Sequence, residues 1–192
     1  MVHGQANHDA FKAMAQRRNP LKSRRCNRLN MNPKHLLIYL KDHLAGSTGA
    51  LEVLDHLVST HAGTPLESVF KELRDEIIQD RYALEDIIRR FGPAESPIRN
   101  TGAWLGEKLA RVKLFIEGGG SGPLARLEAL DALALGIEGK RSLWEALEAV
   151  TSAVPPLQDV DFDRLKRRAQ NHRERVGVLR LEAAREAFAG QS

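Results

Sequence analysis

The stretch LESVFKELRDEIIQDRYALEDIIRRF, residues 66–91, indicates most plainly how this chain folds. Its apolar residues recur at alternating spacings of three and four, the pattern of a helix that buries one stripe against its neighbours. The stripe consists of Leu66, Phe70, Leu73, Ile77, Asp80, Leu84, Ile87 and Phe91. Thr64 and Glu67 predict a capping box at the start of this helix. Asp80 is the one polar member of an otherwise apolar stripe.

Three further segments have the same helical period and nearly the same length, residues 34–61, 123–150 and 160–188. With residues 65–91 they predict four long helices, joined by short loops into two antiparallel hairpins. A shorter segment, residues 97–117, is predicted as a crossover helix between the hairpins. The sequence therefore predicts an all-α fold, an antiparallel four-helix bundle with a crossover helix.

The positive charge of the chain is concentrated near its N-terminus. Residues 1–34 contain eight Lys or Arg residues and one acidic residue, a net +7, whereas the remaining 21 basic and 24 acidic residues give −3. We expect residues 1–33 to be a basic, disordered extension and residues 34–190 to be the bundle domain. The extension is either a flexible tail or an arm that contacts nucleic-acid phosphates, and such contacts would weaken with salt.

Several classes of protein are disfavoured by composition and motifs. Cys26 is the single cysteine of the 192 residues, so no internal disulfide or cysteine-based zinc site forms. The sequence has no apolar run of membrane-spanning length and no secretory leader, which predicts a cytoplasmic protein without a membrane partner. The glycine-rich residues 118–122 lack the Lys-Ser/Thr pair of a phosphate-binding loop. No catalytic residue is predicted, and a non-enzymatic role is favoured.

The other long helices also have mostly apolar stripes with a polar residue near the middle. The stripe of residues 34–61 is Leu37, Leu40, Leu44, Ser47, Leu51, Leu54 and Val58. That of residues 123–150 is Leu127, Leu130, Ala134, Ile137, Arg141, Trp144 and Glu148. That of residues 160–188 is Phe162, Leu165, Ala169, His172, Val176, Leu179 and Ala183. Because helix midpoints share one level in such a bundle, Ser47, Asp80, Arg141 and His172 are predicted to meet in one polar layer.

Three polar residues, His43, Glu76 and Glu138, flank the stripes near the same level. Buried charges need partners, and two interpretations stay open. In the first, Arg141 pairs with Asp80 or Glu76, and His172, Ser47 and His43 complete the polar layer. In the second, the layer is a metal or small-ligand site, with Glu76, Glu138 and His172 as the metal ligands.

Two hairpins with acids and a histidine at mid-height resemble the ferritin-like superfamily. The stretches HLAGSTGALEVLDHL (43–57) and LEALDALALGIEGKRSLWEAL (127–147) are also similar to a family of bacterial hypothetical proteins of about this size. The similarity covers residues 35–188 and leaves out the basic extension. It implies a ferritin-like bundle but no particular activity.

The resemblance also implies where iron ligands would lie. Di-iron members carry a Glu on the first and third helices and Glu-x-x-His on the second and fourth. Here Glu76 is followed by Gln79 in place of the His, whereas His172 is preceded by Ala169 in place of the Glu. Arg141 adds a positive charge at the predicted site, so di-iron oxygen chemistry is not expected. A single iron or manganese ion on Glu76, Glu138 and His172 is the metal alternative; the main expectation is no cofactor.

The sequence thus predicts a non-enzymatic binding or structural module with a polar layer at mid-bundle. One alternative is a degenerate iron- or manganese-binding protein. Another is contact with nucleic acid through the basic N-terminal extension. The oligomeric state is left open, and a homo-oligomer is one expectation.

Overall fold

The computed structural model describes residues 32–92 and 122–189, and these form four long α-helices. The helices are α1 (Pro33–Thr60), α2 (Pro65–Arg90), α3 (Pro123–Ala149) and α4 (Phe162–Phe188). Two short 3-10 turns, Thr151–Ala153 and Pro155–Leu157, join α3 to α4. No strand occurs in the described residues. The all-α class is confirmed for the described residues, and the predicted boundaries of the four long helices agree with the structure to within two residues.

Each helix begins at a capping residue or a proline. The Asn32 side chain accepts hydrogen bonds from the backbone N–H groups of Lys34 and His35, at 3.1 and 3.3 Å. The capping box predicted for α2 is wrong in detail, because the Thr64 side chain makes no capping bond. Glu67 instead accepts a 2.7 Å hydrogen bond from the backbone N–H of Gly63. Gly63 has a φ of 77°, which lets the chain turn back toward Glu67.

The packing of the helices gives two hairpins, α1 with α2 and α3 with α4, and α1 also packs against α3. Ion pairs of α2 with Arg168 and Arg175 connect it to α4. The C-terminal ends of α1 and α4 and the N-terminal end of α3 line one small pocket. Helix α3 is therefore antiparallel to both α1 and α4. The largest fully buried side chains include Phe70, Trp144 and ten leucine or isoleucine residues.

The predicted stripes of α2 and α4 are confirmed. The buried residues of α2 are Phe70, Leu73, Ile77, Asp80, Leu84 and Ile87. Those of α4 are Phe162, Leu165, Ala169, His172, Val176 and Ala183. Helix α1 is rotated relative to its predicted stripe and also buries the small residues Ala45 and Gly49, which lets its neighbours approach closely.

The predicted stripe of α3 is wrong in part. Leu133 and Leu147 are buried in place of Ala134 and Glu148. Burying two leucines removes more apolar surface from water than burying an alanine and a glutamate, so the helix turns toward the leucines. As a result Lys140, and not Arg141, faces the core between Ile137 and Trp144.

Some predictions fall on parts of the chain that the structure does not describe. The basic extension lies in residues 1–31 and the crossover helix in residues 93–121, so both stay predictions. Among the described helices, none is long and apolar enough to cross a bilayer.

Candidate functional site

Charged and polar side chains from three helices meet in the interior at mid-height. The buried charged cluster consists of Asp80 on α2, Lys140 on α3 and both Arg168 and His172 on α4. Glu76 on α2 and Arg175 on α4 lie at its rim. Asp80 and His172 are the two buried polar residues of the described chain, 3% and 1% exposed. Both were predicted from the sequence to face the core.

Asp80 is the centre of the cluster because it binds two cations. Lys140 Nζ contacts one carboxylate oxygen and Arg168 Nη2 contacts the other. The charged atoms come from α3 and α4, so this single carboxylate on α2 connects three helices. Leaving such a carboxylate buried without its cations would be strongly unfavourable, which ties the helices to one register.

His172 continues the chain of contacts from Lys140 to the rim. Its Nδ1 lies 2.9 Å from Lys140 Nζ, and because an ammonium can only donate, Nδ1 is the acceptor. The proton of the neutral ring is therefore on Nε2. Nε2 lies 2.8 Å from Glu76 Oε2 but is not aligned for a hydrogen bond. Arg175 Nη1 binds the same Glu76 oxygen at 2.6 Å.

The electrostatics of the cluster keep His172 neutral. Burial, together with the positive charges of Lys140, Arg168 and Arg175, lowers the pKa of His172 to about 3. Burial also lowers the pKa of Lys140, although Asp80 opposes this effect. Arg175 also lies 3.5 Å from Glu72. When His172 is neutral, the three cations Lys140, Arg168 and Arg175 are therefore matched by the three carboxylates Asp80, Glu76 and Glu72.

Arg141, predicted to lie in the polar layer, is outside the buried charged cluster. Its guanidinium binds Glu138 at 2.6 Å and Glu145 at 2.5 Å on the same helix, and its side chain is 34% exposed. The predicted pairing of Arg141 with Asp80 is therefore corrected. Lys140, one residue earlier, takes that place because α3 is turned toward Leu133 and Leu147.

Ser47 and His43, the predicted contributions of α1, both have contacts within their own helix. The Ser47 hydroxyl donates a 2.5 Å hydrogen bond to the Leu44 carbonyl of its own helix. The His43 ring lies edge-on to Tyr39, with 4.6 Å between ring centroids. Both residues nevertheless line the same cavity as Asp80 and Lys140.

The three residues predicted as metal ligands do not converge. Glu76 and His172 are neighbours, but Glu138 binds Arg141 and lies 3.1 Å from Arg173. Within residues 32–92 and 122–189, no group of three or more His, Cys, Asp or Glu side chains is arranged to hold a metal ion. The cations around His172 would also repel a divalent ion. Carboxylate and imidazole groups are suitable ligands for iron and manganese, but the contacts of Glu138 draw it away from Glu76 and His172.

Sequence reasoning missed Lys140, Arg168 and Arg175. The spacing Leu130, Leu133, Ile137, Lys140, Trp144, Leu147 is as regular as the predicted stripe and contains two more leucines. That count of leucines is a signal that favours Lys140. Arg168 and Arg175 lie four residues before and three residues after His172, which places them on the same helical face.

A cavity of about 240 Å³ lies between α1, α2 and α3, beside the buried charged cluster. Its lining is mainly apolar. Gly46, Gly136 and Gly139 leave its wall open, because a Cβ at any of them would meet no atom within 4 Å. Trp144 also lines it, but its indole Nε1–H, which has no hydrogen-bond acceptor within the described part of the chain, is fully buried and does not open onto the cavity. The cavity therefore combines apolar walls with the Asp80–Lys140 pair.

A comparison of the chain with protein-family models, curated proteins and solved structures finds no match in any of the three.

Proposed function

We propose that this chain is a non-enzymatic binding module. In this proposal a helical bundle of the ferritin-like type holds a small molecule in the cavity between α1, α2 and α3. Asp80 and Lys140 of the buried charged cluster line that cavity, and the cluster fixes the helices around it. The single observation that carries the proposal is the cavity itself, with its mainly apolar walls and the Asp80–Lys140 pair in its lining.

The ferritin-like part of the proposal is supported by the order and direction of the helices. Two hairpins pack together, and α3 is antiparallel to both α1 and α4. Since α2 is antiparallel to α1 in the first hairpin, α2 and α3 run in the same direction. This is the arrangement expected of two hairpins joined by one long crossover.

A binding role is favoured over catalysis by how the polar groups of the cavity are used. The Asp80 carboxylate is held by two cations, and the Lys140 ammonium is held by Asp80 and His172. A general base or a nucleophile needs a free lone pair near the substrate. These groups are instead committed to contacts that stabilise the bundle.

The proposal is tested by filling the cavity from within. In Gly139→Leu the new side chain occupies the cavity, whereas in Gly177→Leu it occupies a half-buried helical site on α4 outside it. Toluene, an apolar probe, should raise the thermal midpoint of the parent protein and of Gly177→Leu but not that of Gly139→Leu. Equal responses of all three proteins, or no response of the parent, would contradict a binding cavity.

The metal-binding alternative has a separate test. Iron, manganese and zinc would be measured in protein purified without chelators, before and after His172→Ala. The binding-module proposal expects metal well below one ion per chain and no change in the variant. Stoichiometric metal that disappears with His172 would favour the alternative.

A further inference from the structure

We infer that two copies of this chain pair through the outer side of α4, with their two α4 helices antiparallel. The inference is independent of the cavity, because no residue of α4 lines it. Three observations support it: an exposed apolar surface, the spacing of side chains along the outer side of α4 and the order of the charges there.

The exposed apolar surface is concentrated on α3 and α4. Of the eight large apolar or aromatic side chains exposed in the described part of the chain, these two helices carry five: Leu124, Leu135, Val178, Leu181 and Phe188. The ion pair of Asp131 with Arg180 connects the two helices. Leu135 lies one turn from Asp131 and Leu181 lies next to Arg180, so the apolar side chains of the two helices share one level. Exposed apolar side chains gathered on one side of a protein mark an interaction surface.

Helix α4 has a second stripe at alternating spacings of four and three, on the side opposite its buried stripe. The outer stripe of α4 consists of Arg167, Asn171, Glu174, Val178, Leu181, Arg185 and Phe188, all of them exposed. Two helices that pair along their length use this spacing. Val178 and Leu181 are both 58% exposed and lie one turn apart. They would form the apolar centre of a contact, and the charged members would form its rim.

The charges of the outer stripe are complementary when the two copies are antiparallel. Glu174 and Arg185 lie at equal distances on either side of the Val178–Leu181 pair. In the antiparallel arrangement Val178 therefore faces the partner's Leu181. Glu174 faces the partner's Arg185, and two-fold symmetry repeats each contact. A parallel arrangement would instead place like charges opposite each other, which favours the antiparallel one.

Both charged residues are exposed and can take such a partner. Glu174 accepts a 2.7 Å hydrogen bond from Gln170 of its own helix. Neither Glu174 nor Arg185 has an ion pair within the described part of the chain. An ion pair between copies would therefore break none within a copy.

The size of the contact predicts a reversible dimer. From Arg167 to Phe188 the outer stripe spans about 32 Å, and one helix with its side chains is about 10 Å wide. A contact of this extent is at the low end of interface sizes, below about 1,200 Å² in total. We therefore expect a dimer that dissociates at about 10 µM or above.

Sedimentation velocity of the full chain between about 1 and 300 µM measures the self-association, and the parent should change from monomer to dimer over this range. Leu181→Glu places a charge at the apolar centre and should weaken the dimer about tenfold or more. Tyr82→Glu is the matched control, because Tyr82 on α2 is 57% exposed but lies outside the outer stripe. It should associate as the parent does. Circular dichroism checks that each variant is folded.

Charge reversal tests the antiparallel direction. Glu174→Arg alone and Arg185→Glu alone each place like charges opposite each other twice in the dimer. Either should weaken it about fivefold or more at low salt, and the two together should restore the affinity of the parent.

Four outcomes would each overturn the inference: a parent that stays monomeric, an unchanged dimer in Leu181→Glu, an equal loss in Tyr82→Glu, or a double charge reversal that associates no better than the single ones. A monomeric parent would leave the outer stripe of α4 to a different protein. None of these outcomes affects the proposed function, which the toluene experiment tests separately.

Discussion

Lys140 and Arg141 are adjacent cations on α3 with opposite surroundings. The Lys140 side chain is 15% exposed and binds Asp80 on another helix, whereas that of Arg141 is 34% exposed and binds two glutamates of its own helix. One step along an α-helix turns the side-chain direction by about 100°. The rotation of the helix, set by the leucines around it, therefore decides which cation takes part in the interior.

The difference also separates two kinds of ion pair. Surface pairs within one helix lie in a high dielectric and contribute little to stability. Buried pairs have a large desolvation cost, and removing one partner leaves the other charge uncompensated. The following substitutions use this contrast, starting from the largest expected effect.

Asp80→Leu should cause the largest loss of stability. The substitution keeps the number and branching of the side-chain heavy atoms but leaves Lys140 and Arg168 buried without their carboxylate, which we expect to cost about 3–5 kcal/mol of unfolding free energy. Urea denaturation followed by circular dichroism measures it. A loss below about 1 kcal/mol would show that the carboxylate is not needed to compensate buried cations.

His172→Asn should change how stability depends on pH. The pKa of His172 is about 3 in the folded protein and near 6.5 in an unfolded chain, so between these values only the unfolded chain is protonated there. The contribution of the neutral His172 ring to the free energy of unfolding is therefore complete above about pH 6.5. Below that pH it falls by about 1.4 kcal/mol for each pH unit.

Asparagine keeps an acceptor near the position of Nδ1 but does not titrate. The slope of unfolding free energy against pH between about 6 and 4.5 should therefore be shallower in His172→Asn than in the parent. Identical slopes in the two proteins would mean that His172 is protonated in the folded state.

Arg141→Met should have the smallest effect. The Arg141 side chain is partly exposed, and its partner Glu138 keeps a second contact with Arg173. We expect no shift of the denaturation midpoint beyond experimental error. A large loss of stability would indicate that Arg141, and not Lys140, is the buried partner of Asp80.

Much of the fold follows from the sequence because α2 and α4 have unambiguous stripes. In α2 the large apolar residues lie mostly on one helical face, with Val69, Ile78, Tyr82 and Ile88 outside it. In α4 the apolar spacing around His172 also fits one helical face. These two helices contribute Asp80 and His172, which were predicted. Prolines at the first turns of α1, α2 and α3 fix where those helices begin.

The buried face of α3 could not be predicted in the same way, because leucine and alanine residues lie on all sides of this helix. Leu133, Ala134 and Leu135 are neighbours in sequence, and of these three Leu133 is the buried one. The predicted stripe was consequently one residue too far along the chain at Ala134, Arg141 and Glu148. Arg168 and Arg175 were missed for another reason: their long side chains reach the cluster from the edge of the stripe.

Two double-mutant cycles, compared with each other, test most directly whether Lys140 rather than Arg141 is the partner of Asp80. The first combines Asp80→Leu with Lys140→Met, and the second combines Asp80→Leu with Arg141→Met. The first should show a coupling of about 1–3 kcal/mol in unfolding free energy, with the double variant more stable than the sum of single losses predicts. The second should be additive within error. Coupling to Arg141 together with additivity for Lys140 would contradict the account.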